Sequence, residues 1–268
     1  MKSIPIYWFY FTIFAFGLII GSFLNVVAYR MPRGESVVSP PSRCPHCRRR
    51  LKPGELVPLL SWLVQRGRCR DCRKPIHWQY PLVEALTGLL FVLVGLRYGL
   101  GWETLVGLTL VGFLIPLSVI DLKTMLLPDR LTIPLLTIMV LYRLFIGTQP
   151  WWWYIIGGAL GAGMLLLLAW LSPILFGKEG MGLGDVKLIA GIGVAVGPYG
   201  SVLTLFFASL FGIGFGLCYR YRLRRSLKLE ADDESSGEFP FGPSLAVGGL
   251  VAYLYGDEIW QFYLSFLT

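Results

Sequence analysis

Two aspartates, Asp121 and Asp185, have the residue type and the setting to do chemistry in this chain. Each stands where an apolar run meets a short polar loop. A carboxylate at the edge of a hydrocarbon layer is unfavourable unless it is paired or hydrated, so this position predicts a function. Two carboxylates held together can hydrolyse an amide, because the ionised one takes a proton from water while the protonated one polarises the carbonyl. The alternative is that both are solvated loop residues without a role.

The residues around the pair define its loops. Asp129 competes with Asp121, but it follows Pro128 and precedes an apolar run, so an N-cap of a helix explains it without chemistry. Gly182 and Gly184 precede Asp185 and let the backbone approach another segment closely. We expect these two glycines to support the loop and the substrate. A dinucleotide site would need a strand, a turn and a helix, which a membrane loop does not supply.

Four cysteines predict a metal site. They form two CxxC pairs separated by 21 residues and consist of Cys44, Cys47, Cys69 and Cys72. Four thiolates can surround Zn²⁺ tetrahedrally, and such a closed shell indicates a structural ion. The many Lys and Arg residues nearby favour thiolates. Disulfides and redox chemistry are the alternatives, although a reducing compartment disfavours disulfides.

The composition indicates a polytopic membrane protein. Hydrophobic residues make up 55% of the 268 residues and charged residues 15%, with a mean hydropathy of +0.63. Soluble domains carry about 25% charged residues. The first apolar run, 6–27, is too long for the core of a cleaved signal, so it predicts a span. Although the net charge is +8, we expect no nucleic-acid partner, because the position of charge matters more than its sum in a membrane protein.

The apolar runs predict an all-α fold with about eight transmembrane helices. We expect these spans at about 6–29, 82–95, 104–120, 131–146, 151–176, 188–196, 201–219 and 241–255, the sixth being short and broken. The chain then divides into the first span at 1–29, a zinc-binding module at 30–80 and a membrane-embedded core at 81–268. Placing 30–80 in the cytoplasm puts 21 of the 24 Lys and Arg residues on the inner side, together with both aspartates.

Two further segments have less specific features. Glu84 stands at the start of the second span, where it either has a function or complements the helix dipole. Residues 220–238 contain five basic residues followed by five acidic ones. We expect this stretch to be a flexible inner loop whose basic half contacts anionic lipid.

Four stretches resemble the type IV prepilin peptidases, which are bacterial GxGD-type aspartyl proteases. GSFLNVVAYRMP at 21–32 resembles the first-span signature of that family. The two CxxC pairs followed by YPLVEAL at 80–86 resemble its cysteine module. The third and fourth stretches resemble the two catalytic segments of that family, and they are IDLKTMLLPDRLTIP at 120–134 and MGLGDVKL at 181–188. By this resemblance Asp121 and Asp185 are the catalytic pair.

The resemblance implies two activities at the cytoplasmic face of the bacterial inner membrane. One removes the basic leader of prepilins and pseudopilins after a glycine, and the other methylates the new amino terminus with S-adenosylmethionine. Because the four cysteines are present, methylation is expected as well as cleavage. A peptidase without methyltransferase activity is one alternative. An ion- or proton-coupled transporter with a zinc docking module is the other. The oligomeric state stays open.

Overall fold

The computed structural model describes residues 6–176, 182–227 and 240–266, and these are almost entirely helical. Within those ranges the only β-pairing consists of two isolated bridges near the cysteines. The all-α prediction is confirmed. The helices are α1 (Ile6–Arg30), α2 (Leu60–Val64), α3 (Gln79–Tyr98), α4 (Trp102–Thr124), α5 (Asp129–Phe145), α6 (Trp151–Phe176), α7 (Leu183–Leu227) and α8 (Gly242–Ser265).

Five stretches of the described helices are long and apolar enough to cross a membrane. They are Tyr7–Arg33, Gln79–Tyr98, Trp102–Thr124, Trp151–Ile174 and Leu183–Cys218. The multi-span prediction is therefore confirmed. The helices α5 and α8 match two further predicted spans but are not among the five, so the number eight stays a prediction.

The chain forms two compact units, and the first is Met1–Pro116. In it α1 packs lengthwise on α3. A side chain at Gly17 would come 2.7 Å from the Cα of Gly88, so these two backbones approach closely. Asn25, near the end of α1, donates a hydrogen bond to the carbonyl of Tyr80 at 3.1 Å. The cysteine module lies in the chain between these two helices.

The second unit, Leu117–Thr268, is built around α7. This helix packs against α5, α6 and α8, and α6 forms a smaller contact with α5. The residues at these contacts are large, apolar and fully buried, and they include Leu135, Met139, Leu188, Ile189, Ile192 and Leu245. Both aspartates predicted to do chemistry belong to this unit.

The helix α7 is broken at Gly197, which has φ 77° and ψ −177°. Pro198 follows and has no N–H to donate, so the regular hydrogen bonding is interrupted there. The predicted sixth and seventh spans are thus two parts of α7 joined at a break. Beyond the second part the helix continues to Leu227, so the predicted loop begins later than residue 220. The remainder of that predicted loop, 228–238, lies outside the described residues.

Arg143 of α5 stabilises the region of this break. The side chain is buried, with 5% of its surface exposed. Its Nε donates to the carbonyl of Ala195 at 3.1 Å, and its Nη1 donates to the carbonyl of Ile146 at 3.3 Å. The guanidinium also lies 4.4 Å from the ring centre of Tyr154. The guanidinium thus links the carbonyl of Ala195, just before the break, to the end of α5.

We expect Arg143→Leu to destabilise the protein by about 1.5–3 kcal/mol, because the carbonyls that accept hydrogen bonds from the buried guanidinium would lose this charged donor. Denaturant unfolding in detergent micelles measures the change. Arg97→Leu is the matched control, since Arg97 is exposed on α3. Equal losses for the two variants would contradict the role given to Arg143.

Candidate active site

Asp121 lies in the last turn of α4 and is almost fully buried, with 4% of its surface exposed. The helix ends three residues later because Met125 adopts a left-handed conformation with φ 52°. The N–H of Met125 still donates to the carbonyl of Asp121 at 2.9 Å. The end of α4 therefore holds the carboxylate at a fixed point in the second unit.

Gly242 is the residue of the site that the sequence did not reveal. It opens α8, and its N–H donates to Oδ2 of Asp121 at 2.7 Å. The N-terminus of a helix favours a negative charge, because its first N–H groups have no partner within the helix. A Cβ at this position would come 2.7 Å from the same Oδ2, so no larger residue fits without a shift. The only signal in the sequence is Phe241-Gly242-Pro243 before an apolar run.

Asp185 stands in the first turn of α7, where it is half-buried. Its N–H donates to the carbonyl of Gly182 at 3.1 Å, which closes the turn that leads into the helix. The carboxylate lies within electrostatic range of Asp121. The ends of α4 and α7 thus place the two aspartates within range of each other's charge, although they are far apart in the sequence.

Gly184 allows the loop after α4 to pack against the start of α7. A Cβ at this position would come 2.8 Å from the Cβ of Leu127 and 3.3 Å from its carbonyl oxygen. Gly182 is exposed, and its Cβ position lies 3.8 Å from Oδ2 of Asp185. The two glycines therefore differ in role: Gly184 permits close packing, and Gly182 stands beside the carboxylate. Residues 177–181, the start of this glycine-rich loop, lie outside the described residues.

Asp129 has a different role from the one expected. The N-cap of α5 is Pro128, and no side chain caps the helix, so the N-cap expectation for Asp129 is wrong by one residue. Proline sets the extended conformation that precedes the helix, and Asp129 becomes its first residue. The Asp129 carboxylate instead pairs with Nζ of Lys187 at 2.6 Å. This exposed ion pair joins the start of α5 to the first turns of α7.

The four cysteines of the first unit form one cluster. Their sulfur atoms all lie within 4.8 Å of one another, with Cys44 3.9 Å from Cys72 and Cys47 4.0 Å from Cys69. Four sulfur atoms at 2.3 Å from a tetrahedral Zn²⁺ would be about 3.8 Å apart. All four cysteines are free thiols, so the disulfide alternative has no support. The donor set and its spacing fit a zinc ion.

The two pairs are built as similar knuckles. In the first, the N–H of Arg48 donates to the carbonyl of Cys44, and in the second the N–H of Arg73 donates to the carbonyl of Cys69. Both arginines adopt left-handed conformations, with φ 58° and 55°. The resulting turns point backbone N–H groups at the sulfur atoms. The N–H groups of Cys72 and Asp71 lower the pKa of Cys69 to about 6.

A second feature fixes the knuckles relative to each other. Arg49 makes a bidentate ion pair with the buried Glu55, at 2.7 and 3.1 Å, and its Nε lies 2.6 Å from Asp71 in the other knuckle. The hydrogen bonds from Arg49, followed by the N–H of Lys52, lower the pKa of Glu55. Glu55 therefore remains charged next to the cluster, and the module is cross-linked independently of the metal.

We expect Cys44→Ser to reduce the zinc content well below the one ion per chain expected of the unaltered protein, since a closed shell needs all four thiolates. Elemental analysis of the purified protein measures this. Cys218→Ser is the matched control, because Cys218 is an exposed thiol of α7 outside the cluster. A Cys44→Ser protein with unchanged zinc content would contradict the assignment of the ligands.

Comparison with known proteins identifies the family of the chain. Residues 15–98 match the family described as the Bacterial Peptidase A24 N-terminal domain, and residues 108–217 match the Type IV leader peptidase family. The chain is 41% identical to the prepilin leader peptidase/N-methyltransferase of Aeromonas hydrophila, over 96% of this chain and 95% of the relative. No solved structure matches the chain.

Relatives with the same name occur in other organisms. The protein from Bacillus subtilis is 37% identical, with 94% of this chain and 97% of the relative covered. That from Neisseria gonorrhoeae is 36% identical, with 91% and 90% covered. Both family matches and the full-length similarity agree with the resemblance seen in the four sequence motifs. The chain belongs to the type IV leader peptidase family.

Proposed function

We propose that this protein cleaves the leader of type IV prepilins or pseudopilins with Asp121 and Asp185, and then methylates the new amino terminus. The peptidase assignment is supported by two carboxylates at the ends of α4 and α7 that are near enough to interact electrostatically, of which Asp121 is buried and accepts a hydrogen bond from the N-terminus of α8. The names of the full-length relatives support both activities.

The proposed cleavage uses water as the nucleophile. One aspartate, ionised, takes a proton from water as the water attacks the scissile carbonyl. The other, protonated, donates to the carbonyl oxygen and stabilises the charge that develops there. Two nearby carboxylates do not both ionise readily, so they share one proton and titrate as a pair. Oδ2 of Asp121 already accepts a hydrogen bond from the Gly242 N–H, so we assign proton transfer by Asp121 to its Oδ1.

The proposed setting is the cytoplasmic face of the bacterial inner membrane. A prepilin is a hydrophobic helix with a basic end. Basic residues next to a membrane helix are favoured on the cytoplasmic side, so this end of the prepilin lies in the cytoplasm. Carboxylates at the ends of membrane helices reach that junction without drawing water into the middle of the bilayer. The distribution of Lys and Arg in the inner loops supports the same orientation for the cysteine module and the aspartates.

The cysteine module has a structural part in this proposal. Zinc held by Cys44, Cys47, Cys69 and Cys72 would cross-link the two knuckles, as closed four-thiolate sites do. S-adenosylmethionine is the expected methyl donor and is a substrate of the second reaction. The transporter alternative gains no support from the comparisons, because the three relatives described above are all named as enzymes.

The test is to incubate the purified protein in nanodiscs with a prepilin and S-adenosylmethionine and to measure the intact mass of the product. We expect a shortened pilin that is heavier by one methyl group, about 14 Da, than the cleaved chain alone. A shortened product without the added mass would establish a peptidase only. An uncut prepilin, together with ion flux in liposomes, would favour the transporter.

A further inference from the structure

The short helix α2 of the cysteine module exposes an apolar face. Leu60, Leu63 and Val64 lie on one side at helical spacing, and 61%, 62% and 73% of their surfaces are exposed. Trp62 points the other way, and its Nε1 donates to the carbonyl of Ile76 at 3.3 Å. Within the described residues, α2 is therefore attached to the module by one side and presents three large aliphatic side chains on the other.

A hydrogen bond fixes the position of α2 along the axis of α3. Leu59, immediately before α2, donates its N–H to Oε2 of the buried Glu84 at 2.8 Å. Glu84 lies five residues into the apolar span that begins at Gln79. At 1.5 Å per residue it is about 8 Å along the helix. The start of α2 is therefore held beside the first turns of a membrane-spanning helix, and this contact gives Glu84 a structural role.

The backbone at this point is held in an unfavourable conformation. Leu59 has φ 59° and ψ −53°, which lies outside the regions that residues other than glycine commonly occupy. The N–H of Leu60 donates to the carbonyl of Pro58 at 2.6 Å, so the three residues form the rare, strained kind of γ-turn. Such strain persists only where the surrounding contacts impose it. The position of α2 is thus fixed by the fold of the first unit.

The charges around α2 complement an anionic surface. Arg66 and Arg68 follow the helix and are exposed. Residues 30–80 contain twelve Lys and Arg residues against three acidic ones, namely Glu35, Glu55 and Asp71. Trp78, with 61% of its surface exposed, precedes α3, and tryptophan is enriched where membrane helices meet the headgroups. An apolar face next to basic side chains is typical of helices that lie in the membrane interface.

We propose that α2 is an interfacial anchor that inserts Leu60, Leu63 and Val64 into the membrane surface while Arg66 and Arg68 contact the phosphates of anionic phospholipids. The module is then held on the bilayer at a third point, in addition to its connections to α1 and α3. This anchor does not depend on the catalytic assignment of the two aspartates.

The test is fluorescence of the full-length protein in nanodiscs. Leu63→Cys, in a Cys218→Ser background, is labelled with an environment-sensitive NBD maleimide while zinc protects the four clustered cysteines. We expect blue-shifted emission and quenching by phospholipids that carry a nitroxide at carbon 5 of the acyl chain. The matched control is Gly54→Cys, since Gly54 is exposed in the same module and its Cβ would meet no neighbouring atom. Its label is expected to emit as in water.

The contribution of anionic lipid is measured with the same label at position 63. Replacing Arg66 and Arg68 by Gln is expected to lower the ratio of inserted to free α2 by about fivefold per residue in membranes rich in phosphatidylglycerol. For the protein that retains both arginines, membranes of phosphatidylcholine alone should lower this ratio to a similar extent. Unchanged zinc content shows that the module remains folded. Water-like emission without quenching at position 63 would overturn the proposal. So would shielding that occurs only when prepilin is added, because the face would then bind substrate.

Discussion

Asp121→Asn and Asp185→Asn are each expected to reduce prepilin cleavage by about 10³-fold or more, because an amide of the same shape can neither take the proton from water nor share a proton with its partner. The two losses should not add, since either substitution disables the same pair. Rates of leader removal under single-turnover conditions measure the chemical step directly. Binding of a prepilin should persist in both variants.

Asp129→Asn is the matched control for these two substitutions. Its carboxylate pairs with Lys187 at the surface, and exposed ion pairs contribute about 0–1 kcal/mol. We therefore expect cleavage close to that of the unaltered enzyme. If Asp129→Asn abolishes cleavage while Asp121→Asn does not, the first member of the pair has been assigned to the wrong aspartate.

Gly242→Ala is expected to lower the turnover of prepilin by about 10²-fold, with little change in prepilin affinity. The added methyl group would stand 2.7 Å from Oδ2 of Asp121, so the carboxylate or the start of α8 has to move. A displacement near 1 Å can cost about that factor in rate. Turnover and affinity measured separately would reveal an effect confined to catalysis.

Gly163→Ala is the matched control for that change. Gly163 lies in α6, where an added Cβ meets no atom within 4 Å. The same change of residue type in a helix of the same unit should therefore leave turnover almost unaffected. Normal cleavage by Gly242→Ala would show that the N–H of residue 242 does not position the aspartate, whereas equal losses in both variants would indicate general damage to the helices.

The features that are local in sequence were predictable. Apolar runs indicated the helices, because a membrane span must satisfy its backbone hydrogen bonds internally. The spacing of Cys44, Cys47, Cys69 and Cys72 predicted a metal-binding cluster, since each knuckle is a local turn and only their pairing is long-range. The sixth predicted span, 188–196, was expected to be short and broken, and the helix breaks at Gly197 directly after it.

The features that depend on distant contacts were not predictable from the sequence. Gly242 is 121 residues from Asp121, and a backbone N–H carries no residue-specific signal. Arg143 was one of three basic residues left outside the inner loops, and nothing in its neighbourhood indicated a bond to Ala195, 52 residues away. The pairing of Asp129 with Lys187 also joins two separate segments. Each of these contacts exists because α7 and α8 return to the ends of α4 and α5.

The break at Gly197 has a mechanical consequence for Asp185. Residues 183–196 form a rigid rod about 21 Å long, with the aspartate near one end and the break at the other. A tilt of about 3° about Gly197 therefore moves the carboxylate by about 1 Å, a distance comparable to the tolerance of a reacting geometry. Arg143 and the hydroxyl of Ser201, which lies 2.8 Å from the carbonyl of Gly157, hold the pivot in place. The alignment of the two aspartates thus depends in part on the contacts at the break, at the far end of this segment of α7.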